Sequence, residues 1–222
     1  MELRAENITR RYFRKRGEAN FFEAVSSASL TLEGGEVAVL KGKSGSGKTT
    51  LTHILAGLLT PSDGKVLLDE ADLYALDDAA LSRLRHDRIG MIPQGRSAVD
   101  TLTVRENILL PGLLYGKEDR SAAAERWMDE LDISGLRDAM PAELSGGELR
   151  RLAIARTLAG DPDVILADEP TGDLDDENTE KVLSAFHALA HEKQKIVLIV
   201  THEDDALRYA DRILKMEQGR II

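Results

Sequence analysis

Short apolar runs alternate with helical patterns along the chain, and this alternation predicts an α/β fold. Residues 36–42 (EVAVLKG) form an apolar run that ends in glycine. The TTLTHILAGLL that follows places Leu51, Ile54, Leu55 and Leu58 at helical spacing. A strand followed directly by a helix is therefore expected here.

Two later apolar runs, at residues 163–169 (DVILADE) and 195–203 (KIVLIVTHE), are hydrophobic without alternation. Such runs are typical of parallel strands that are covered on both faces. TEKVLSAFHALAHE between them predicts the crossover helix, whereas GKVLLD and RIGMIPQ predict further strands. RILKMEQGRII predicts a closing hairpin that turns at Gln218 and Gly219.

The stretch from residue 97 to 158 predicts a mostly helical insertion, because EDRSAAAERWMDELDI and ELRRLAIARTLAG both have helix-favouring compositions. We therefore predict one domain over residues 1–222. Residues 1–96 and 159–222 form its sheet-containing core, and residues 97–158 form the helical part.

Composition is that of a globular protein, with 222 residues, 42% hydrophobic and 31% charged. No apolar run approaches the ~18 residues of a membrane span, and the N-terminus lacks a signal-peptide pattern. Cysteine is absent, which excludes disulfides and thiolate metal sites. We expect a cytoplasmic protein.

The net charge of −10 argues against non-specific nucleic-acid binding, and we expect no nucleic-acid partner. The charge is uneven, because residues 1–16 carry six basic residues, including Arg14, Lys15 and Arg16. This basic cluster is interpreted either as a solvated loop between two early strands or as a contact with nucleotide or a membrane surface.

The motif GKSGSGKT matches the phosphate-binding pattern G-x-x-x-x-G-K-[ST], with a predicted strand before it and a helix after it. Its backbone amides and the helix N-terminus would bind phosphate oxygens. Lys48 would bring positive charge to the β- and γ-phosphates, and the Thr49 hydroxyl would ligate Mg²⁺. This first cradle consists of Gly42, Lys43, Ser44, Gly45, Ser46, Gly47, Lys48, Thr49 and Thr50.

Asp168 and Glu169 follow a predicted buried strand, at the edge of the sheet where α/β folds bind ligands. Asp168 is the candidate for holding Mg²⁺ through water. Glu169 is the candidate for polarising the water that attacks the γ-phosphate.

A second glycine pair opens the helix at LSGGE, with Ser145, Gly146, Gly147 and Glu148. On spacing alone, Ser145 is most simply an ordinary N-cap. The same residues would also present backbone amides at the positive end of a helix, as a second phosphate cradle.

With these motifs in this order, nearly the whole chain resembles the ATP-binding subunit of ABC transporters. The resemblance implies the P-loop ABC ATPase fold, a mostly parallel core sheet with an N-terminal antiparallel β subdomain and an inserted helical subdomain. It implies that Gln94 senses Mg²⁺ and water, that His202 contacts the γ-phosphate, and that Asp175 lies at a dimer interface. Tyr12 would stack on adenine, with Phe13 as the alternative.

The resemblance also implies a mechanism. ATP and Mg²⁺ would be bound between two chains placed head to tail, as a homodimer or a heterodimer with a related subunit, with the LSGGE of one completing the ATP site of the other. ATP hydrolysis would drive a separate membrane permease from the cytoplasmic face of the membrane. A P-loop kinase would not need LSGGE, and non-transport ABC proteins of DNA repair or ribosomes are usually longer.

Finer resemblance is to the MacB/LolD/FtsE branch, which implies export, lipoprotein release or a mechanical role at the cell envelope. An FtsE-like regulator of a membrane partner is the alternative. Lys43 replaces a usual proline. Glu148 replaces a common glutamine and would add negative charge near phosphate if it turned inward. ATP against GTP preference stays open.

Other residues are expected to be structural. We expect Arg150 and Arg151 to be solvated or paired with local carboxylates, and Trp127 to pack within the helical part. The remaining histidines are expected at the surface or in packing: His53, His86, His187 and His191.

Overall fold

The computed structural model describes residues 1–13, 21–115 and 119–222. Its strands are β1 (Glu2–Phe13), β2 (Phe21–Glu33), β3 (Val37–Lys41), β4 (Asp63–Leu68), β5 (Ala71–Asp72), β6 (Ile89–Ile92), β7 (Val164–Asp168), β8 (Ile196–Thr201), β9 (Arg212–Glu217) and β10 (Arg220–Ile221). Its α-helices are α1 (Lys48–Leu55), α2 (Asp78–Arg88), α3 (Val104–Tyr115), α4 (Ser121–Glu130), α5 (Gly146–Leu158) and α6 (Asp176–Lys193).

The strands form two sheets. A four-stranded antiparallel sheet has the order β2-β1-β4-β5, and a six-stranded sheet has the order β10-β9-β3-β8-β7-β6. The larger sheet is parallel except for the terminal β9–β10 pair. The predicted α/β fold, the closing hairpin and the antiparallel N-terminal sheet are confirmed.

The central strands are buried on both faces, which explains their unbroken apolar runs. Along β3, Val37 and Val39 face a core shared with α3 to α6, whereas Ala38 and Leu40 face a second core shared with α1 and the antiparallel sheet. Both cores therefore pack against the parallel strands, whose carboxyl ends carry the first cradle and the Asp168–Glu169 pair.

The helical part predicted at residues 97–158 contains α3, α4 and α5 among its described residues. Trp127 of α4 is 3% exposed and packs in the first core, as expected. That core also contains sheet residues such as Ile165, so the helical part and the sheet share one hydrophobic core. The division into a core and a helical subdomain stays a proposal.

Candidate nucleotide site

The first cradle connects β3 to α1 at the carboxyl end of the parallel sheet. Gly45 and Gly47 have φ values of 75° and 104°, a region that residues with a Cβ rarely adopt. A Cβ at Gly47 would also lie 2.1 Å from the carbonyl oxygen of Ala24. Glycine is therefore required at position 47 by both conformation and space.

Lys48 is 8% exposed and lies inside the curve of this loop. Its Nζ donates to the carbonyl oxygens of Gly42, at 2.7 Å, and Lys43, at 3.1 Å. The Ser46 hydroxyl oxygen is buried and has no hydrogen-bond partner among the described residues. A buried cation and an unused polar group inside one loop fit a phosphate ligand.

Asp168 ends β7 and is 1% exposed. Its Oδ2 is buried and has no hydrogen-bond partner in the described part of the chain, and the Thr49 side chain lies close enough to the carboxylate to lower its pKa. Burial raises the pKa of Asp168, and the neighbouring Glu169 charge raises it further against the effect of Thr49. A carboxylate held this way, beside a hydroxyl, fits a hard divalent cation such as Mg²⁺.

No cluster of three or more histidine, cysteine, aspartate or glutamate residues with metal-site geometry occurs among the residues described. Mg²⁺ commonly keeps several waters and is bound by one or two carboxylates plus substrate phosphates. The protein ligands here would be Thr49, Asp168 and Gln94.

Glu169 lies directly after β7 in a left-handed conformation, with φ 52°. Its N–H donates to the carbonyl oxygen of Val200 at 2.8 Å, which fixes this strained residue at the end of the sheet. Its Oε1 lies 2.9 Å from Nδ1 of His202, and its Oε2 accepts from the Thr201 hydroxyl at 3.3 Å. The Glu169 carboxylate raises the pKa of His202, chiefly through this hydrogen bond.

Lys48, Asp168, Glu169 and His202 line one cleft of about 760 Å³. Tyr12 lies at its edge, and its ring stacks on Phe22 with centroids 5.5 Å apart. Phe13 does not line the cleft and is 73% exposed. Of the predicted residues, the cleft brings together Tyr12, Ser44, Gly45, Gly47, Lys48, Thr49, Thr50, Gln94, Asp168, Glu169 and His202.

Several cleft residues were missed from the sequence, and Phe22, Glu23, Ala24, Gln218 and Gly219 also line it. The hairpin turn is held against the first cradle, because the Gly219 N–H donates to the Ser46 carbonyl oxygen at 2.9 Å. Gln218-Gly219 has an evident turn signal, but nothing local indicates which loop the turn contacts.

The second cradle lies at the start of α5. The Ser145 Oγ accepts from the Glu148 N–H at 3.3 Å, and Glu148 Oε2 accepts from both the N–H and the hydroxyl of Ser145, each at 2.7 Å. These bonds lower the pKa of Glu148. The expected N-cap is therefore present, and the Glu148 carboxylate is hydrogen-bonded to Ser145.

A separate cleft of about 450 Å³ surrounds this cradle and shares no lining residue with the first. Asp175 borders it and caps α6, accepting from the Asn178 N–H at 2.8 Å. Space at the glycines is limited, because a Cβ on Gly147 would lie 2.9 Å from the Asp173 carbonyl oxygen. Its full lining is Ser145, Gly146, Gly147, Arg151, Asp173, Leu174, Asp175 and Asn178.

The expectation that both arginines are solvated or paired with local carboxylates was wrong for Arg150, whereas Arg151 is half-buried and its charge lowers the pKa values of Asp132, Glu148 and Asp175 alongside their hydrogen bonds. Arg150 is 6% exposed and donates to the Pro93 carbonyl oxygen. Arg151 donates to the carbonyl oxygen of Leu131 and to Oδ1 of Asn178. Both side chains bond to segments distant in sequence, which local charge patterns do not reveal.

The basic cluster at residues 1–16 is only partly described, and Arg14, Lys15 and Arg16 lie outside the described residues. Arg11 pairs with Glu23 and Asp63. Arg10 lies over the Tyr12 ring, 4.9 Å from its centroid. The described arginines thus support the sheet and the edge of the first cleft.

Helices with the length and hydropathy to cross a membrane were not found in the described ranges of the chain.

Comparison with known proteins places the chain among ABC transporter proteins. The family model described as ABC transporter matches residues 25–172. The chain is 37% identical to the uncharacterised ABC transporter ATP-binding protein MJ0796 of Methanocaldococcus jannaschii, over 99% of this chain and 94% of that protein. It is also 37% identical to the lipoprotein-releasing system ATP-binding protein LolD of Aquifex aeolicus, over 99% and 96%.

Solved structures agree with the sequence relatives. A dimeric structure of MJ0796, described as an ABC transporter cassette, superposes with a TM-score of 0.93 at 33% identity, over 99% of this chain and 96% of that chain. A dimeric post-hydrolysis state of the same cassette, bound to ADP and Pi, superposes with a TM-score of 0.92 at 33% identity. The match again covers 99% of this chain and 96% of that chain.

Proposed function

This chain belongs to the ABC transporter family as an ATP-binding, ATP-hydrolysing subunit, and from that premise we propose that two copies pair head to tail around two ATP molecules. Each ATP would be bound by the first cradle of one copy and the second cradle of the other. The observation that carries this proposal is the presence of two phosphate-type cradles in one chain, in clefts with no lining residue in common.

In the first cradle, Lys48 and the loop amides would hold the β- and γ-phosphates, and Tyr12 would stack on the base. Mg²⁺ would be bound by Thr49, Gln94 and, through water, Asp168. When bound, the ion would neutralise phosphate charge and order its oxygens. The buried, unpartnered Oδ2 of Asp168 supports this assignment.

Glu169 is proposed as the residue that polarises the attacking water, with His202 beside the γ-phosphate. The 2.9 Å contact between Glu169 and His202 orients both side chains. The strained backbone of Glu169 fixes its carboxylate at the sheet edge, which is typical of residues held for function.

The second cradle would supply Ser145 and the N-terminus of α5 to the partner's γ-phosphate. Glu148 accepts from the Ser145 hydroxyl and backbone N–H, so its negative charge is held on the cap. A phosphate oxygen would bind the first-turn N–H groups of α5 and would take the Ser145 hydroxyl from Glu148. Asp175, at the same cleft, would contact the partner chain.

A complementation experiment tests the shared sites. Lys48→Ala damages the first cradle and Ser145→Arg damages the second, so each variant alone should hydrolyse almost no ATP. In a mixed dimer, one site combines the intact first cradle of one chain with the intact second cradle of the other. If chains pair at random and sites act independently, an equal mixture recovers about a quarter of the wild-type rate.

The matched control mixes Lys48→Ala with Glu169→Gln. Both changes lie in the first cleft, so every site of the mixed dimer carries one defect and activity should not recover. Recovery only in the first mixture supports sites shared between chains. No recovery in either mixture, with every variant folded and able to exchange partners, would contradict the proposal.

The proposed partner is an integral membrane permease of the export or lipoprotein-release type, contacted from the cytoplasmic face. The name of the LolD relative supports this class. A second support is an apolar groove lined by Leu58, Leu110, Pro111 and Leu114, beside which Leu113 is 71% exposed. Exposed leucines around a groove favour a protein contact.

To identify the partner, a tagged Glu169→Gln chain is purified from gently solubilised membranes with ATP present, and co-purifying proteins are identified by mass spectrometry. A polytopic permease supports the proposal, and a Leu113→Glu, Leu114→Glu double variant should lose it. An ATP-bound dimer without any membrane protein would contradict the permease assignment and leave the ATPase assignment intact.

A further inference from the structure

The buried arginine Arg150 links the second cradle to the segment that carries Gln94. It lies in α5, five residues after Ser145, and is 6% exposed. Its Nη1 donates to the carbonyl oxygen of Pro93, the residue before Gln94, at 2.7 Å. A desolvated guanidinium bonded at this distance makes a charge-assisted contact, among the stronger hydrogen bonds in proteins.

Two further side chains of α5 bind the same segment. Arg156 donates to the carbonyl oxygen and the hydroxyl of Ser97, both at 2.8 Å. The Thr157 hydroxyl makes its shorter bond, at 3.0 Å, to the Ala153 carbonyl oxygen of α5 itself, and it also lies 3.3 Å from the Met91 carbonyl oxygen. Residues 91–97 are thus attached to α5 on both sides of Gln94, whose own side chain is exposed at the first cleft.

The carboxylates that act on Arg150 line both clefts. Asp173, which lines the second cleft, acts on it most strongly, followed by Asp168 and Glu169 of the first cleft. Burial lowers the pKa of Arg150, and these carboxylates oppose that effect. A single buried cation therefore interacts with the catalytic edge of one site and the phosphate-binding edge of the other.

We propose that Arg150 is a positioning residue that couples the two cradles within one chain. Bound nucleotide and Mg²⁺ would shift Gln94 at the first cleft, the Pro93 carbonyl would move with it, and Arg150 would pass that displacement to the first turn of α5. The second cradle, which completes the partner's site, is then oriented by the nucleotide in the first. This inference rests on the proposed head-to-tail dimer.

Steady-state kinetics of the full chain test the inference first. Arg150→Gln should lower kcat about tenfold and change the affinity of the first cradle for the ATP analogue AMP-PNP less than about twofold. Arg150→Lys, which keeps the positive charge and an ammonium group that can donate to the Pro93 carbonyl oxygen, should recover part of kcat. The control is Arg85→Gln, which also removes an arginine bond to a carbonyl oxygen, that of Gly57 at 2.9 Å, away from both cradles.

A purely structural role for Arg150 predicts a different result. Arg150→Gln and Arg85→Gln would then lower the melting temperature similarly and leave kcat within about twofold of wild type. That outcome would overturn the inference. So would an equal loss of kcat in both variants.

Hydrogen–deuterium exchange on monomer separates this inference from the dimer proposal. The measurement uses Mg²⁺ and AMP-PNP at a protein concentration where light scattering shows one chain. The analogue should slow exchange over residues 91–97 in wild type and in Arg150→Gln. Exchange over residues 145–150 should change in wild type only. An equal change there in both chains, or in neither, would overturn the role of Arg150, whatever the complementation experiment shows.

Discussion

Replacing Glu169 by glutamine examines the chemistry of the first cleft with little change in shape. The amide oxygen can still accept from the Thr201 hydroxyl, which lies 3.3 Å from the carboxylate in the native chain. The backbone bond from the residue 169 N–H to Val200 does not involve the side chain. We therefore expect a folded variant whose main loss is the negative charge.

The size of the effect follows from the assigned role. A positioned general base contributes about 10²–10⁴ in rate, or ~3–5 kcal/mol of activation free energy at 1.36 kcal/mol per tenfold change. We expect kcat to fall at least about 100-fold and ATP binding to persist. Because ATP then stays bound, the variant should accumulate as a dimer.

The assay is phosphate release at saturating ATP and Mg²⁺, with light scattering for the dimer. Glu203→Gln is the matched control, since its carboxylate accepts from the Thr171 hydroxyl at 2.7 Å and does not line the cleft. We expect the control to keep kcat within about threefold. If Glu169→Gln also keeps more than a tenth of wild-type kcat, Glu169 is not the base.

Three further predictions concern the metal, the pH response and the core. Asp168→Asn should raise the Mg²⁺ concentration for half-maximal ATPase about tenfold, measured by Mg²⁺ titration. Because Glu169 raises the pKa of His202, their ion pair stabilises the fold fully below about pH 6.5 and loses that effect as pH rises through the raised pKa. NMR titration should show the His202 pKa falling in Glu169→Gln. Phe186→Ala, at a fully buried side chain, should cost ~3–5 kcal/mol in urea unfolding, whereas the exposed Phe13→Ala should cost little.

The sequence predicted the position of those parts of the site whose functional residues all lie within one short segment. The 42–50 loop is such a part, because its glycines, lysine and threonine all act within one strand–turn–helix unit. Asp168 and Glu169 were predictable for a similar reason, since an unbroken apolar run indicates a buried parallel strand and its carboxyl end is a binding edge.

Contacts between distant segments were not predictable in this way. Arg150 was expected to be solvated or paired with local carboxylates, yet the fold brings Pro93 against it. Phe22 and Gly219 reach the first cleft through the β1–β2 pairing and the terminal hairpin, respectively. In each case the partner is chosen by tertiary packing, which local residue patterns do not encode.

The charge of the chain gives a physical reason for the dimer to be transient. Each copy carries a net charge of −10, so two copies facing each other repel. In the proposed dimer, ATP with Mg²⁺ would offset this repulsion by bridging the first cradle of one chain to the helix N-terminus of the other. Hydrolysis would cleave the γ-phosphate from the nucleotide held by the first cradle, and the bridge to the second cradle would be lost when the phosphate leaves. The like charges then favour separation, so the acidic surface that argues against nucleic-acid binding would also reset the ATPase cycle.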